Sequence, residues 1–590
     1  MLRISGLLCK CGMLVMISVF SFAACSRVSE KPLNEHLTIS DIQGCTHRSP
    51  FNGQMVYDIR GIVTAKAYNG FYMQSKVPDG LECTSDGIFI FTEKFPDVVP
   101  GDEIEVDGMI QEFTPGQIED RNLSITEMVN PEISKISSGN LLPAEVEIGF
   151  SNRKLPDKTI DNDNLQDFNP EDDGVDFYES LESMLVRVET GVVVGPRNSF
   201  NEIVIISPEY QQANAMSSLG ALIQKENDTN PERIMINLNQ ENTQKVNVGA
   251  ELLQPITGVM DYSYGNYKIR AFGIVDFSEV DVAAPLLEFQ EQALTIVTYN
   301  VENLALQDDK GRFRAIASDI VDELFEPDIV VLHEVLDDSG IEDDGTTKAF
   351  RTVERLIEEV IRQGGPDYSV VMKDPGNNQD GGIPGGNIRS VILFRPDAGI
   401  SLAEEENRFG LNTNPEIIGQ NNWPFSVTRK PLAALFEHEG KQFLIVAVHL
   451  TSRGLDSPLF GSVQPIERLE EGKRIAQGQQ ISQYLSNFQN ANPAVPIILA
   501  GDINDDPWSN TLNVLTTRSL YDAGKTIPEY ERFSYILDGN AIQLDYILVS
   551  EPAAIVQYVI PHLNSVYDHK LQVSDHDPVL IELDLEFWEQ

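Results

Sequence analysis

Apolar and polar positions along this chain follow two rhythms. Before about residue 285 apolar residues come in short runs that alternate with polar ones and break at glycine. Gly101-Asp102-Glu103-Ile104-Glu105-Val106-Asp107-Gly108-Met109-Ile110 is the cleanest case, and residues 57–63 alternate similarly. A period of two places successive side chains on opposite faces of a strand. Gly87-Ile88-Phe89-Ile90-Phe91 is a further short strand, and Tyr68-Asn69-Gly70-Phe71-Tyr72-Met73 reads as a hairpin turning at Asn-Gly. Short glycine-broken strands predict a small β-barrel over residues 38–141. Residues 142–285 read as a second β-rich domain. There Gly249-Ala250-Glu251-Leu252 and Ile256-Thr257-Gly258-Val259-Met260 echo the strand at 101–110, which suggests a diverged repeat. The polar stretch 161–174 lacks the spacing of a calcium loop and reads as a solvated loop.

From about residue 290 the rhythm changes. Residues 294–299, 328–332, 391–394, 443–448, 496–500 and 544–549 are continuous apolar runs of strand length. Stretches with helical spacing lie between them, near 313–324, at 349–362 and at 467–487. Many apolar strands with intervening helices predict an α/β domain of packed layers over residues 290–586. A chain of 590 residues accommodates these three units.

The amino terminus reads as an export signal, residues 1–25. Arg3 and Lys10 precede an apolar run from Gly12 to Ala24, too short to span a bilayer comfortably. The run ends in Phe22-Ala23-Ala24-Cys25, a lipobox-like site in which Cys25 would carry the lipid, although Phe22 stands where leucine is usual. A polar tether follows over residues 26–37. The expected location is outside the cytoplasm, lipid-anchored to a bacterial membrane or cell surface, with secretion after simple cleavage as the alternative. Cys45 and Cys83 are then left either as a disulfide or as two buried thiols. The formal net charge of -48 repels nucleic acid at long range and argues against tight, metal-free DNA binding. No protein partner is indicated.

Candidate chemistry gathers just past the ends of the later strands: Asn300, Glu334, His449, Asp502 and Asn504, with Asp575 and His576 preceding the last strand. Carboxylates and amide oxygens suit a hard ion such as Mg²⁺ or Mn²⁺, and a Ca²⁺ site is left open. Histidines suit proton transfer near neutral pH, and Asp545 is placed to orient one of them. Together these groups suit attack of water on a phosphate ester.

Thr298-Tyr299-Asn300-Val301-Glu302-Asn303-Leu304, Leu332-His333-Glu334-Val335, His449-Leu450-Thr451-Ser452, Gly501-Asp502-Ile503-Asn504 and Ser574-Asp575-His576-Asp577-Pro578 resemble the ordered motifs of the endonuclease/exonuclease/phosphatase superfamily. The resemblance implies a four-layered αββα sandwich of DNase I type. It implies metal ligation by Glu334, with Asn300 and Asp575 close by, and proton transfer by His576 paired with Asp545. His449 would contact the phosphate or protonate the leaving oxygen, while Asp502 and Asn504 position the attacking water. His333 departs from the usual glutamine before the metal-binding glutamate.

Gly381-Gly382-Ile383-Pro384-Gly385-Gly386-Asn387-Ile388-Arg389, Thr428-Arg429-Lys430-Pro431-Leu432 and Asp456-Ser457-Pro458-Leu459-Phe460-Gly461 resemble bacterial extracellular nucleases of the ExeM and NucH type, which carry an amino-terminal OB-like domain. That branch implies phosphate contacts from Arg429 and Arg389, and nucleic acid as substrate. Phe71 and Tyr72 of the OB-like region would offer stacking platforms for single strands. The competing readings are a phosphatase or phospholipase C-type hydrolase of the same fold, and a non-catalytic binding module.

Overall fold

The computed structural model describes residues 37–149, 153–211, 215–282, 289–290, 293–403, 413–517 and 520–589. The export signal with Cys25, and the tether up to residue 36, lie outside the described residues.

Strands Met55–Ala67, Gly70–Gln74, Gly87–Phe91, Glu103–Phe113 and Ile125–Ser137 close into a barrel. Strand Glu103–Phe113 shows why. Ile104, Val106 and Ile110 are wholly buried against Ile59, Phe71, Ile88 and Met128, while Glu103, Glu105 and Asp107 face outward. Closure pairs every strand edge. Ala67 pairs with Gly70, so the first hairpin turns at Tyr68-Asn69, one residue earlier than the Asn-Gly signal indicates. Cys45 and Cys83 form a disulfide that ties the segment after the short helix Ile39–Gln43 to the loop before Gly87–Phe91. Phe71 and Tyr72 are buried, at 0% and 3% exposure, which removes them as stacking platforms. Phe71 fills the barrel core, and Tyr72 packs with Phe89 against Leu185 and Val259 of the next domain.

The second domain is a seven-stranded sheet in the order Val146–Glu147, Leu185–Val188, Ile256–Ser263, Asn266–Ala271, Ile234–Asn237, Glu202–Ile206, Val192–Gly195. Its topology differs from that of the barrel, and Glu251 and Leu252 make only isolated bridges. The expected repeat is therefore an echo of local pattern rather than of architecture.

The third domain has two sheets packed face to face. One runs Ser369–Val371, Arg389–Phe394, Ile329–Val335, Leu294–Leu304, Val579–Leu583, Ile555–Val559. The other runs Ile400–Leu402, Leu432–His438, Lys441–His449, Ile497–Asp502, Asp545–Val549, Tyr521–Asp522, with Glu416–Ile417 beside Leu432–His438. Ile296, Val331 and Ile392 meet Phe436, Ile445 and Ala500 between the sheets. Helices Lys310–Ser318 and Phe350–Arg362 cover one outer face through Phe313 and Leu356. Helices Glu471–Ala491 and Asn510–Thr516 cover the other through Leu485 and Leu512. The four-layered αββα sandwich buries these strands on both faces, which is why their sequences are continuously apolar. The long helix starts at Glu471 rather than 467. Glu467 and Arg468 are drawn instead into contacts with Arg121 and Asp506.

The domains interlock. Phe460 of the third domain enters the core of the second, and its carbonyl accepts from Tyr262, whose hydroxyl in turn accepts from the Leu123 amide of the barrel.

Candidate active site

The two central parallel strand pairs end at the same side of the sandwich. Asn300 lies in register with His333, and His449 with Asp502, while Asp502 also faces Asp545 across an antiparallel pair. The backbone departs from the extended form as the strands end. Glu302, Asn303, Glu334 and Asn504 all have positive φ, between 48° and 64°. Such conformations are rare for residues with side chains and gather at functional sites. Gly501 has no room for a side chain: a Cβ there would lie 1.8 Å from the Val448 carbonyl and 2.9 Å from the His333 ring.

Polar side chains from both sheets touch at this edge. The Asn300 amide donates to Glu334 Oε1 at 3.3 Å and to Asp502 Oδ2 at 3.2 Å. His449 Nε2 lies 3.4 Å from Asp502 Oδ2 and 3.7 Å from Glu334 Oε1. Arg429 donates to His449 Nε2 at 2.7 Å and to the Leu450 carbonyl at 2.6 Å. Asp502 Oδ1 accepts from the Asn504 amide at 2.8 Å. On the other flank His576 Nδ1 meets Asp545 Oδ2 at 2.7 Å, and Ser534 donates to the same oxygen at 2.7 Å. Ser574 donates to the Asn300 carbonyl and accepts from the His576 amide, so the closing motif is tied to the first strand.

The electrostatics separate the histidines. Burial, reinforced by Arg429, His333 and His576, holds the pKa of His449 well below its ordinary value. It is a neutral ring whose Nε2 receives an N–H from the Arg429 guanidinium. Burial opposes charging His576, but Asp545, Asp502 and Asp575 outweigh it and raise its pKa well above normal. His333 is neutral, pushed down to about 4 chiefly by burial, and bridges Thr298 and Ser390 inside the core. Its role is to brace the two strands.

Asp502 is raised to about 7 by burial and by the nearby charges of Asp545 and Glu334. Glu302 is raised to about 7 by burial, Asp575 and Glu334. Acids this crowded disfavour one another's ionisation, and a divalent cation relieves that cost. Asp502, Asp545 and His576 bring ligand atoms within 4.8 Å of one another. Asp545 Oδ2 and His576 Nδ1 are already engaged with each other. Hard-ion ligation therefore fits better on the carboxylate side of the cluster, at Glu334 and Asp502, with Asp575 and Glu302 lining the open side, while Asn300 holds those two carboxylates through its Nδ2 and the Glu302 amide through its Oδ1.

Arg389 takes a different place from the one expected. Its guanidinium meets Asp374 at 2.6 Å and the Asn387 carbonyl at 2.9 Å, and the side chain is buried. It shapes the loop before strand Arg389–Phe394 and is not offered to phosphate. Cys45 and Cys83 belong to the barrel, apart from this cluster. Three participants carry no legible signal. Glu302 sits inside a motif but without an assigned part. Ser534 and Tyr535 lie on the hairpin of Tyr535–Leu537 and Asn540–Ile542, and the Tyr535 ring is 4.8 Å from that of His576. Their proximity to residue 576 is tertiary. Asp577 accepts from the amides of Asn564 and Ser565 and locks the closing motif.

Residues 297–576 match the family described as Endonuclease/Exonuclease/phosphatase family, and residues 147–276 match a Domain of unknown function (DUF8508). No curated protein matches the chain. Among solved structures, humanized D. rerio TDP2 is 17% identical, covering 50% of this chain and 100% of that one, with a TM-score of 0.35. The human Nocturnin catalytic domain with bound sulfate anion is 19% identical, covering 50% and 96%, at 0.34. The Bacteroides thetaiotaomicron mannosyl-6-phosphatase Bt3783 is 16% identical, covering 49% and 99%, at 0.34.

Proposed function

The third domain belongs to the endonuclease/exonuclease/phosphatase family, whose members are phosphoesterase hydrolases, and from that premise we propose that this one is a divalent-metal-dependent nuclease hydrolysing DNA or RNA. The observation that carries the proposal is the hydrogen-bonded Asp545–His576 pair set beside the Asn300–Glu334–Asp502–His449 cluster. Asp545 fixes the Nδ1 proton of His576 and leaves Nε2 to exchange a proton with the reacting oxygens. Asp502 and Asn504 orient the attacking water, and Arg429, held in place by His449 Nε2 and the Leu450 carbonyl, contacts a phosphate oxygen. Mg²⁺ or Mn²⁺ held by Glu334 and Asp502, carboxylates that Asn300 positions, would neutralise charge developing on the phosphoryl oxygens. The bond from water to phosphorus forms, the ester bond breaks, and the leaving oxygen ends protonated.

Export, with lipid on Cys25, completes the proposal. The Cys45–Cys83 disulfide supports it, since such bonds persist in oxidising compartments. The resemblance to extracellular nucleases favours nucleic acid over lipid or inositol phosphate.

The test presents plasmid DNA, RNA, sphingomyelin and inositol phosphates to the purified protein, with Mg²⁺ and with chelator. Cleavage of DNA or RNA that the chelator abolishes is expected, with a loss of about 10²- to 10⁴-fold in His576→Ala. Hydrolysis confined to the lipid or to inositol phosphates overturns the nuclease reading in favour of the alternative.

A further inference from the structure

A cavity of about 1160 Å³ lies between the second domain and the catalytic domain. Its near end is Glu302, Asp575 and Tyr535, so it opens directly from the catalytic cluster. Its far wall belongs to the second domain and includes Phe200 and Tyr264. These rings are 76% and 77% exposed. They stand on anchored turns. Asn198 Oδ1 accepts from the amides of Phe200 and Glu202, both at 2.9 Å. Ser263 pairs with Asn266, whose side chain donates to Asp538 of the catalytic hairpin at 3.0 Å.

The second domain also holds the parts of the active site nearest this cavity. Ala541 donates to the Leu222 carbonyl and accepts from the Gln224 amide, which joins the hairpin carrying Tyr535 to the second domain. Asn230 donates to Asn540 Oδ1 at 2.7 Å. The loop ahead of His576 is held through Val248 to Val566 and through Val246 to Asp568. The wall and the reacting groups therefore form one surface.

The chemistry of the wall identifies its occupant. Lys268 is paired with Glu202 at 2.6 Å and Arg270 with Asp261 at 3.4 Å, so these cations are already neutralised by neighbours. Arg197 faces Asp568 at 3.7 Å, and the acids Glu302, Asp575 and Asp538 lie on the catalytic side, so the second-domain wall offers Phe200 and Tyr264 among neutral groups such as Asn198, Ser199 and Asn237. A ligand joined to a reacting phosphate and carrying flat π-faces fits such a wall. Bases of single-stranded nucleic acid present those faces, while bases in a duplex are stacked on one another. Resting on the nuclease reading above, we infer that the second domain is a substrate-binding element whose Phe200 and Tyr264 stack unpaired bases flanking the scissile phosphate, giving a preference for single strands.

The experiment compares kcat/KM on a short single strand with that on the same strand made abasic around the cleaved position. Unaltered protein prefers the base-bearing strand by about 5- to 100-fold, the range set by base–aromatic stacking. In the doubly substituted Phe200→Ala, Tyr264→Ala protein this ratio falls toward unity, and Phe200→Trp retains it. If the unaltered protein cleaves both strands equally, or the double variant keeps the preference, the groove assignment fails and the nuclease reading stands. If neither strand is cleaved, the nuclease reading fails and the groove assignment falls with it.

Discussion

Asp502, Glu302 and His576 all bind protons more tightly in the folded chain than in the unfolded one, and the consequence has one sign. The two carboxyls are each lifted to about 7 by burial and by acidic neighbours. His576 is lifted by Asp545, Asp502 and Asp575 against the effect of burial. Stability falls with rising pH wherever the native state holds the extra protons. For the carboxyls that window runs from their unfolded value, roughly 4, up to about 7. For His576 the contribution is complete below roughly 6.5 and is lost as pH passes its folded value. A divalent cation on the same oxygens favours the ionised carboxylates and disfavours the imidazolium. His333 and His449, whose pKa values are lowered, give the opposite slope only below roughly 6.5, so in chelator the melting temperature falls from about pH 6.5 to pH 8, and Mg²⁺ flattens that slope. Parallel curves with and without Mg²⁺ would place the metal elsewhere. His449 shifts the other way because burial and the Arg429 cation that donates to its Nε2 both disfavour its charged form.

At the scale of elements, the site depends on strand ends more than on the strands themselves. Lys441–His449 and Ile497–Asp502 run side by side until His449 faces Asp502. Gly501 is the residue that allows this approach, because the Val448 carbonyl occupies the space of its missing Cβ. Gly501→Ala forces the pair apart, costs about 3 kcal/mol or more in a urea unfolding measurement, and lowers activity with it. An unchanged midpoint and rate would show that the strands accommodate the methyl group freely. The Asp502 and Asn504 positions are legible in sequence because they directly follow an apolar run. The hairpin of Tyr535–Leu537 and Asn540–Ile542 is not: its runs are short, and its partners lie in the second domain. The shift of the long helix to Glu471 has the same origin, since Arg121 of the barrel and Asp506 compete for the residues ahead of it.

At the scale of the molecule, three domains share contacts rather than hanging from linkers. Phe460 lies in the second-domain core, and Tyr262 ties all three units together. Tyr72, read from sequence as a platform for nucleic acid, is consumed by the barrel's contact with the second domain. The exposed aromatics of the cavity beside the catalytic cluster come instead from that second domain. The proposed attachment to a membrane is tested at this scale too. With lipid on Cys25, the protein sediments with membranes, and Cys25→Ser releases it to the soluble fraction. A soluble unaltered protein would favour the secreted alternative.

The sequence by itself determined the layered α/β character of residues 290–586, because strands buried on both faces must be continuously apolar. It also determined the order of Asn300, Glu334, His449, Asp502, Asp545 and His576, because each stands at the end or start of such a run. It did not determine which arginine joins the polar cluster at the strand ends. Arg389 and Arg429 look alike in sequence, and only packing gives one to Asp374 and the other to His449. Nor did it reveal Glu302, Ser534 and Tyr535 as neighbours of the dyad, or the second domain as a wall of the cavity. Periodicity reports which face of an element is buried. Which elements share that burial is decided by long-range contacts, and here those contacts build the site.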